Sequence, residues 1–389
     1  MLQLAPKSFV ENPSAPTARR ITSVDALRGF SIFWILGGDG AIWALDEMSS
    51  GKGPIVSGIG QFLGNQFSHV DWEGFRFYDF IFPLFIFVTG ISIVFSLTRL
   101  VASEGMTKAH IRVLRRALLL YGLGLIYYGG ISEHCTDIRY VGVLQRIALC
   151  YLFASLLFLN LNLRGLMVAF ASLLLGYWAL MTFVPVPGIG AGSFAPDANL
   201  ANWLDANYLP GRLWDGTRDP EGLLSTLPAI GTCLLGVFAG MLLKDKRLAP
   251  QQRSLWLIGG GMVLLAAGYL WGLQFPVIKS IWTSSFVLVA GGYGLLLLGV
   301  WYQTIDVWGL RSWSTIFVWI GANAITLYFL NNLMSFERFA VRFVGGDVGV
   351  LLDRLATPGT GRLVAHALGL AFAIALAGFF YRRKIFLRV

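Results

Sequence analysis

Apolar runs of about 20 residues, the length a helix needs to cross the roughly 30 Å hydrocarbon core of a bilayer, recur along nearly the whole chain between polar segments. The pattern predicts about ten membrane-spanning helices, at 24–45, 77–98, 113–131, 142–160, 165–184, 222–243, 255–272, 282–302, 313–333 and 363–381. Helices are required because an open sheet would leave backbone groups unpaired in lipid. Unbroken runs such as Leu166 to Leu175 are also too long for the alternating strands of an outer-membrane barrel. Gly37, Gly38, Asp39 and Gly40 interrupt the first span. No segment between spans is long and apolar enough to fold alone, so residues 21–389 read as one transmembrane domain of the all-α polytopic class. Residues 1–20, polar and interrupted by Pro6, Pro13 and Pro16, read as a disordered tail rather than a signal peptide.

Composition excludes a soluble globule: 56% of residues are hydrophobic, 13% are charged, and the mean hydropathy is +0.66. The net charge of +9 is mainly a topology signal. Arg19 and Arg20 precede the first span, and Arg99, Lys108, Arg112, Arg115 and Arg116 separate the second from the third. Lys244, Lys246, Arg247 and Arg253 separate the sixth from the seventh, and Arg382, Arg383, Lys384 and Arg388 close the chain. With ten spans all of these fall on one side, which places both termini in the cytoplasm and segments 46–76, 185–221 and 334–361 on the opposite face. Attraction to the anionic headgroups of the lipid bilayer accompanies this bias; nucleic acid is not implied. Cys135, Cys150 and Cys233 are odd in number, two lie inside spans, and they have neither a disulfide framework nor metal-ligand spacing. Gly236-x-x-x-Gly240, Gly122-x-Gly124 and Gly291-Gly292-x-Gly294 suit close helix packing and permit a homodimer.

Ionisable groups at membrane depth cost about 2.5–3.5 kcal/mol each on insertion scales and so mark cavities or partners. Asp25, Arg28, Asp39, Asp79, Arg146 and His366 are of this kind. Asp25 and Arg28, three apart on one helical face, form either a structural ion pair or a cosubstrate contact. Gln145 and Arg146 open the fourth span with adjacent amide and guanidinium donors, which suit carbonyl or phosphate oxygens. His110 and His134 read as ordinary loop histidines. His69 differs: Asp71, Trp72, Glu73 and Gly74 follow it, and Asp79 opens the apolar run to Ile93. An imidazole beside a carboxylate can remove a proton near neutral pH, and an aromatic wall suits a sugar ring. Asp219 and Glu221 stand at the start of the sixth span, where the helix dipole favours acids. Trp282, Ser284 and Ser285 open the eighth span, and Asn323 is an amide buried in the ninth.

In order, these pieces resemble the heparan-α-glucosaminide N-acetyltransferase family, including its bacterial relatives associated with N-acetylglucosamine use. The matching segments are Ser23-Val-Asp25-Ala-Leu-Arg28-Gly29, His69-x-x-Trp72-x-Gly74 with Asp79-Phe-Ile-Phe-Pro83, and Gly142-Val-Leu-Gln-Arg146. They continue through Val184-Pro-Val-Pro-Gly188, Asp219-Pro-Glu-Gly222, Trp282-x-x-Ser285, Asn323 and Tyr381-Arg-Arg-Lys-Ile-Phe386. The resemblance implies a transmembrane acyltransferase of the bacterial inner membrane. Acetyl-CoA would come from the cytoplasm as cosubstrate, and its acetyl group would pass to the amine of a glucosamine-type acceptor on the periplasmic side, without a metal. His69 falls on the histidine that the family uses catalytically. Asp79 is expected to fix its tautomer, while Trp72, Asp71, Asp219, Glu221 and Asn323 contact the sugar. Arg28, Arg112, Arg116, Gln145, Arg146, Lys244, Trp282, Ser284 and Ser285 are expected to hold the cosubstrate. The chain is expected to differ from lysosomal members in lacking their luminal N-terminal domain and preceding span, and Asp71 and Glu73 make the histidine loop more acidic. A heparan chain is therefore not the expected acceptor. The competing reading is a sugar or proton-coupled transporter with His69 and Asp79 as coupling groups, although no internal repeat supports inverted halves.

Overall fold

The computed structural model describes residues 21–132 and 134–386, and among them regular structure is helical apart from isolated β-bridges. The expected disordered tail lies outside the described residues, as do Arg19, Arg20 and Arg388 of the charge pattern.

In chain order the first helices are α1 (Thr22–Phe33), α2 (Asp39–Ser49), α3 (Pro54–Gln66), α4 (Phe77–Glu104) and α5 (Met106–Tyr127). There follow α6 (Val143–Asn160), α7 (Leu163–Phe183), α8 (Leu200–Tyr208), α9 (Thr226–Lys244), α10 (Pro250–Gly272) and α11 (Ser284–Trp301). The last are α12 (Thr315–Ala322), α13 (Ala324–Met334), α14 (Phe336–Val344), α15 (Asp347–Leu355) and α16 (Thr360–Arg382).

Among the described residues seven helices, α4, α6, α7, α9, α10, α11 with its extension to Val307, and α16, are long and apolar enough to cross a membrane. An eighth crossing results if α12 and α13, bent by 71° about Asn323, count as one span. The protein is thus an all-α, multi-pass membrane protein. Two of the expected spans take other forms. The first is broken into α1 and α2 by a π-helical stretch, Trp34–Gly38, in which Gly37 adopts φ 124°, a conformation cheap only for glycine. The third is α5, whose first half carries Lys108, Arg112, Arg115 and Arg116, leaving only its second half apolar.

The described residues form two compact units. One contains Trp72–Gly74 and Ile86–Gln303. In it α4, α9 and α11 are interior helices, while α7 and α10 turn large apolar side chains such as Leu175, Trp256, Val263 and Leu270 outward. In a membrane those faces meet lipid. At the crossing of α4 and α9 the backbones touch, because a Cβ on Gly236 would strike the Phe87 carbonyl and one on Gly90 the Cys233 carbonyl. Tyr177, Met181, Val186, Phe275, Ile278 and Ile281 form a buried cluster that fixes the loops after α7 and α10, with Trp72 packed against it.

The other unit contains Thr22–Asp71, Phe75–Phe85 and the described residues from Thr304 to Phe386. Asp306 caps α1, its two carboxylate oxygens each accepting a backbone N–H, from Thr22 and Ser23, at 3.0 Å; an acid suits this end of a helix. In this unit α1 packs on α12, α2 on α3, and α16 against α2, α12, α14 and α15.

Candidate functional site

The loop that follows α3 brings His69 to the first turn of α4. Asp79 occupies the third helical position there, and its Oδ2 accepts the backbone N–H of Arg76 (3.1 Å), as a carboxylate does in a capping box, and that of Val70 (3.3 Å). Its Oδ1 lies 2.7 Å from His69 Nδ1. Arg76 clamps the loop from the other side, donating to Ser68 Oγ (3.0 Å) and to the His69 carbonyl (2.8 Å). The Asp79 side chain is wholly buried while that of His69 is 53% exposed. A hidden acid therefore orients a ring that a soluble molecule can reach. With Asp79 ionised the carboxylate only accepts, which puts the proton on Nδ1 and makes Nε2 the basic nitrogen.

Tyr78 packs against the imidazole, ring centroids 4.9 Å apart, and its hydroxyl donates to Asp39 Oδ2 at 2.6 Å. Asp39 stands just after the break between α1 and α2, where its other oxygen accepts the Gly40 N–H at 2.8 Å. The interruption of the first span thus positions a second carboxylate. In the same unit Arg28 pairs with Asp25 (3.3 Å), as its spacing predicts, and reaches the Gly321 carbonyl (3.4 Å). Asn323, buried at the bend between α12 and α13, donates to the Ile385 carbonyl at 3.1 Å. Asp71 is exposed.

The first unit holds a buried polar cluster of its own. Arg139 donates to Asp219 through Nε (2.8 Å) and Nη2 (2.6 Å) and to Glu221 through Nη2 (2.6 Å). Its guanidinium also lies 4.6 Å from the ring centroids of both Tyr128 and Trp214. Arg146, in the first turn of α6, is fully buried; its Nη2 donates to the Gly222 carbonyl (3.1 Å) and Ser225 Oγ (2.5 Å), and its guanidinium stands 5.0 Å from the Trp282 ring centroid. Arg146 Nε and Nη1 are buried without a hydrogen-bond partner among the described residues. Gln145 donates to the Arg139 carbonyl at 3.4 Å. Trp282 has φ 51°, an unusual value for a bulky residue, and its Nε1 donates to Thr232 (3.1 Å).

Two acids here are perturbed. Burial, only partly offset by the Leu223 N–H and the Arg146 charge, pushes the Asp205 carboxyl up to about 7. Burial also raises Glu221, against the pull of Arg139 and Arg146.

The remaining expected site residues are placed as follows. Trp72 donates through Nε1 to the Phe194 carbonyl (2.8 Å), and Arg218 lies 5.0 Å from its ring centroid. The Ser284 hydroxyl donates to the Leu174 carbonyl (2.8 Å) and that of Ser285 to the Pro276 carbonyl (3.0 Å), so the start of α11 is tied to the middle of α7 and to the loop after α10. Arg112 is exposed and 3.6 Å from Glu104, Arg116 lies 4.7 Å from the Tyr151 ring centroid, and Lys244 ends α9. Structure thus joins His69 to Asp79, and Gln145, Arg146, Asp219, Glu221 and Trp282 to one another. Sequence reasoning missed Arg139, Asp205, Arg76 and Tyr78.

The family model described as the catalytic region of heparan-alpha-glucosaminide N-acetyltransferase matches residues 20–265. The chain belongs to this family. Within it, the human heparan-alpha-glucosaminide N-acetyltransferase is 26% identical over 432 aligned residues, covering 95% of this chain and 60% of the human protein. The mouse enzyme of the same name is 25% identical over 382 residues, covering 83% of this chain and 56% of its own length. The chain therefore spans somewhat more than half the length of these family members. The matched region contains His69, Asp79, Arg139, Arg146, Asp205, Asp219 and Glu221.

Proposed function

We propose that the protein is a membrane N-acetyltransferase that moves acetyl from cytoplasmic acetyl-CoA to the amine of a glucosamine-type sugar on the periplasmic side of the bacterial inner membrane. The observation that carries this reading is the reachable imidazole of His69 held at 2.7 Å by the buried carboxylate of Asp79. Family membership favours transfer over transport.

A sugar amine is largely protonated near neutral pH and cannot attack a thioester until it loses that proton. His69 Nε2 takes the proton while Asp79 holds the ring and stabilises the imidazolium that results. The amine nitrogen then bonds to the thioester carbonyl carbon and the C–S bond breaks; the second proton, lost by the nitrogen as the amide forms, passes to the leaving CoA thiolate, and His69 returns its proton to water. Charge that develops on the carbonyl oxygen needs donors; Asn323 and Gln145 are assigned that role. Acetyl-CoA supplies an activated acyl group, and the basic residues Arg28, Arg112, Arg116 and Lys244 contact its phosphates.

For the acceptor, Asp71, Trp72, Asp219 and Glu221 are assigned to the sugar. Arg146 suits an oxygen-rich ligand because its buried Nε and Nη1 can donate without first giving up a protein partner. The same residue, with Gln145, Trp282, Ser284 and Ser285, is assigned to the cosubstrate's polar groups.

The test is incubation of purified protein with acetyl-CoA and a panel of amino sugars, with His69→Ala alongside. Acetylated sugar and free CoA should form in equal amounts, and the variant should lose at least about 100-fold in rate. Full activity in the variant, or no product with any amino sugar, would overturn the proposal. Labelled acetyl on the protein in the absence of acceptor would replace direct transfer by an acetyl-histidine intermediate.

A further inference from the structure

Helix α3 (PIVSGIGQFLGNQ) carries no charged residue and ends three positions before His69. At 3.6 residues per turn its side chains divide into three faces. One packs on α2: the Ser57 hydroxyl donates to the Ser49 carbonyl (2.8 Å), Gly60 lies against Ser49, and Gly64 lies against Asp46. A second is polar and exposed, with Gln61 and Asn65. The third is apolar and exposed, with Ile55 (76%), Val56 (46%), Ile59 (57%) and Phe62 (61%).

The level of this helix is set by the start of a membrane span. Phe67, one residue past α3, packs with its ring tilted against Trp34 (4.6 Å between centroids) and Phe77 (4.9 Å), the first residue of α4. The Phe77 N–H donates to the Gln66 side chain (3.2 Å), and Trp43 Nε1 donates to the Phe67 carbonyl (3.2 Å). The C-terminal end of α3 is therefore fixed where α4 begins its crossing. A helix at that level, uncharged, with adjacent polar and apolar faces, has the form of an element lying in the membrane plane.

We propose that α3 is an interfacial anchor, its Ile55–Val56–Ile59–Phe62 face inserted among the acyl chains of the outer leaflet and its Gln61–Asn65 face in water. The partner is the bilayer itself. The anchor holds His69 at the lipid surface through the Phe67 ring cluster and the Arg76 clamp, so the acceptor amine is met at the interface rather than in bulk solvent. This placement of α3 does not depend on the acetyl-transfer reading.

The test uses the full chain in phospholipid vesicles, with exposed Cys135 changed to Ser and single cysteines introduced at Ile59, Phe62, Gln61 or Asn65 and given a nitroxide label. Accessibility to oxygen, which concentrates in lipid, is compared with accessibility to a water-soluble nickel chelate. Labels at Ile59 and Phe62 should show an oxygen-to-nickel ratio several-fold above that at Gln61 and Asn65. Equal nickel accessibility on both faces would place α3 in water and overturn the proposal. Strong spin–spin broadening at Ile59, from a second copy of the chain on this face, would overturn it as well. Because the readout is not acetyl transfer, an inactive protein with the expected ratio leaves the anchor standing and removes only the proposed activity.

Discussion

At the scale of the residue, the division of labour proposed for His69 and Asp79 yields a sharp expectation. Asp79→Asn keeps the side chain's shape but removes the charge that stabilises imidazolium and lets the amide turn a donor toward Nδ1. Turnover should fall about 100- to 10,000-fold, the acetyl-CoA Michaelis constant should stay within about twofold, and His69→Ala combined with Asp79→Asn should be little worse than His69→Ala, since the two act as one unit. Steady-state kinetics check all three; additive losses would show that the residues act separately. His69 and Asp79 were legible in the sequence because a histidine and an acid at the mouth of an apolar run already define a candidate. Arg139 and Asp205 were not, since their roles arise from contacts with residues far along the chain. Asp205 carries its own prediction. Burial pushes its folded carboxyl up to about 7, from an ordinary 3.8, so the unfolded chain releases the proton first and the fold loses stability as pH rises through that interval. Asp205→Asn cannot ionise. Its thermal midpoint should therefore gain on the parent's from about pH 4 to 7 and hold a constant lead above about pH 8, measured by thermal melts in detergent; a gap independent of pH would mean that Asp205 titrates normally.

At the scale of the element, most spans were legible because length and hydropathy alone decide whether a helix can cross lipid. Where those two signals are mixed, the outcome depends on local chemistry: the glycines around Asp39 break the first span, and the basic first half of α5 keeps that helix from being apolar throughout. Glycine pairs within helices were expected to mark close packing, and at Gly236 the α4–α9 crossing has that character. Gly236→Ala should destabilise the protein by about 1–3 kcal/mol, the usual cost of overpacking, because the Phe87 carbonyl that a new methyl meets is backbone and cannot rotate away. Gly259→Ala in α10 is the control: nothing lies within 4 Å of the added Cβ, and alanine is the better helix former by about 1 kcal/mol. Thermal melts should show the first variant lowered and the second unchanged or raised. Equal effects would mean that helix propensity, and not the crossing, governs both sites.

At the scale of the whole molecule, the decisive expectation is sidedness. Basic residues are dense in the segments 99–116, 244–253 and 382–384; on the ten-span reading, with α5 as a crossing, even numbers of spans separate them and the charge bias assigns all three to the cytoplasm. On the same reading the opposite side also carries arginines, among them Arg139, paired with Asp219 and Glu221, and Arg218, paired with Asp197 and Asp215. On that reading the histidine loop opens on the opposite side, and the proposed reaction, which joins a cytoplasmic donor to a periplasmic acceptor, would carry the acetyl group across the bilayer. Sealed inside-out vesicles separate this from ordinary transfer, since neither acetyl-CoA nor a charged amino sugar crosses lipid unaided. With acetyl-CoA outside and the amino sugar trapped within, acetylated product should accumulate in the lumen while sugar supplied outside stays unmodified. Right-side-out vesicles should be inactive with external acetyl-CoA and regain activity once permeabilised. If product instead formed only on the side holding the donor, both substrates would reach the site from one face, and the charge pattern would report the membrane orientation of the helices without describing the path of the acetyl group.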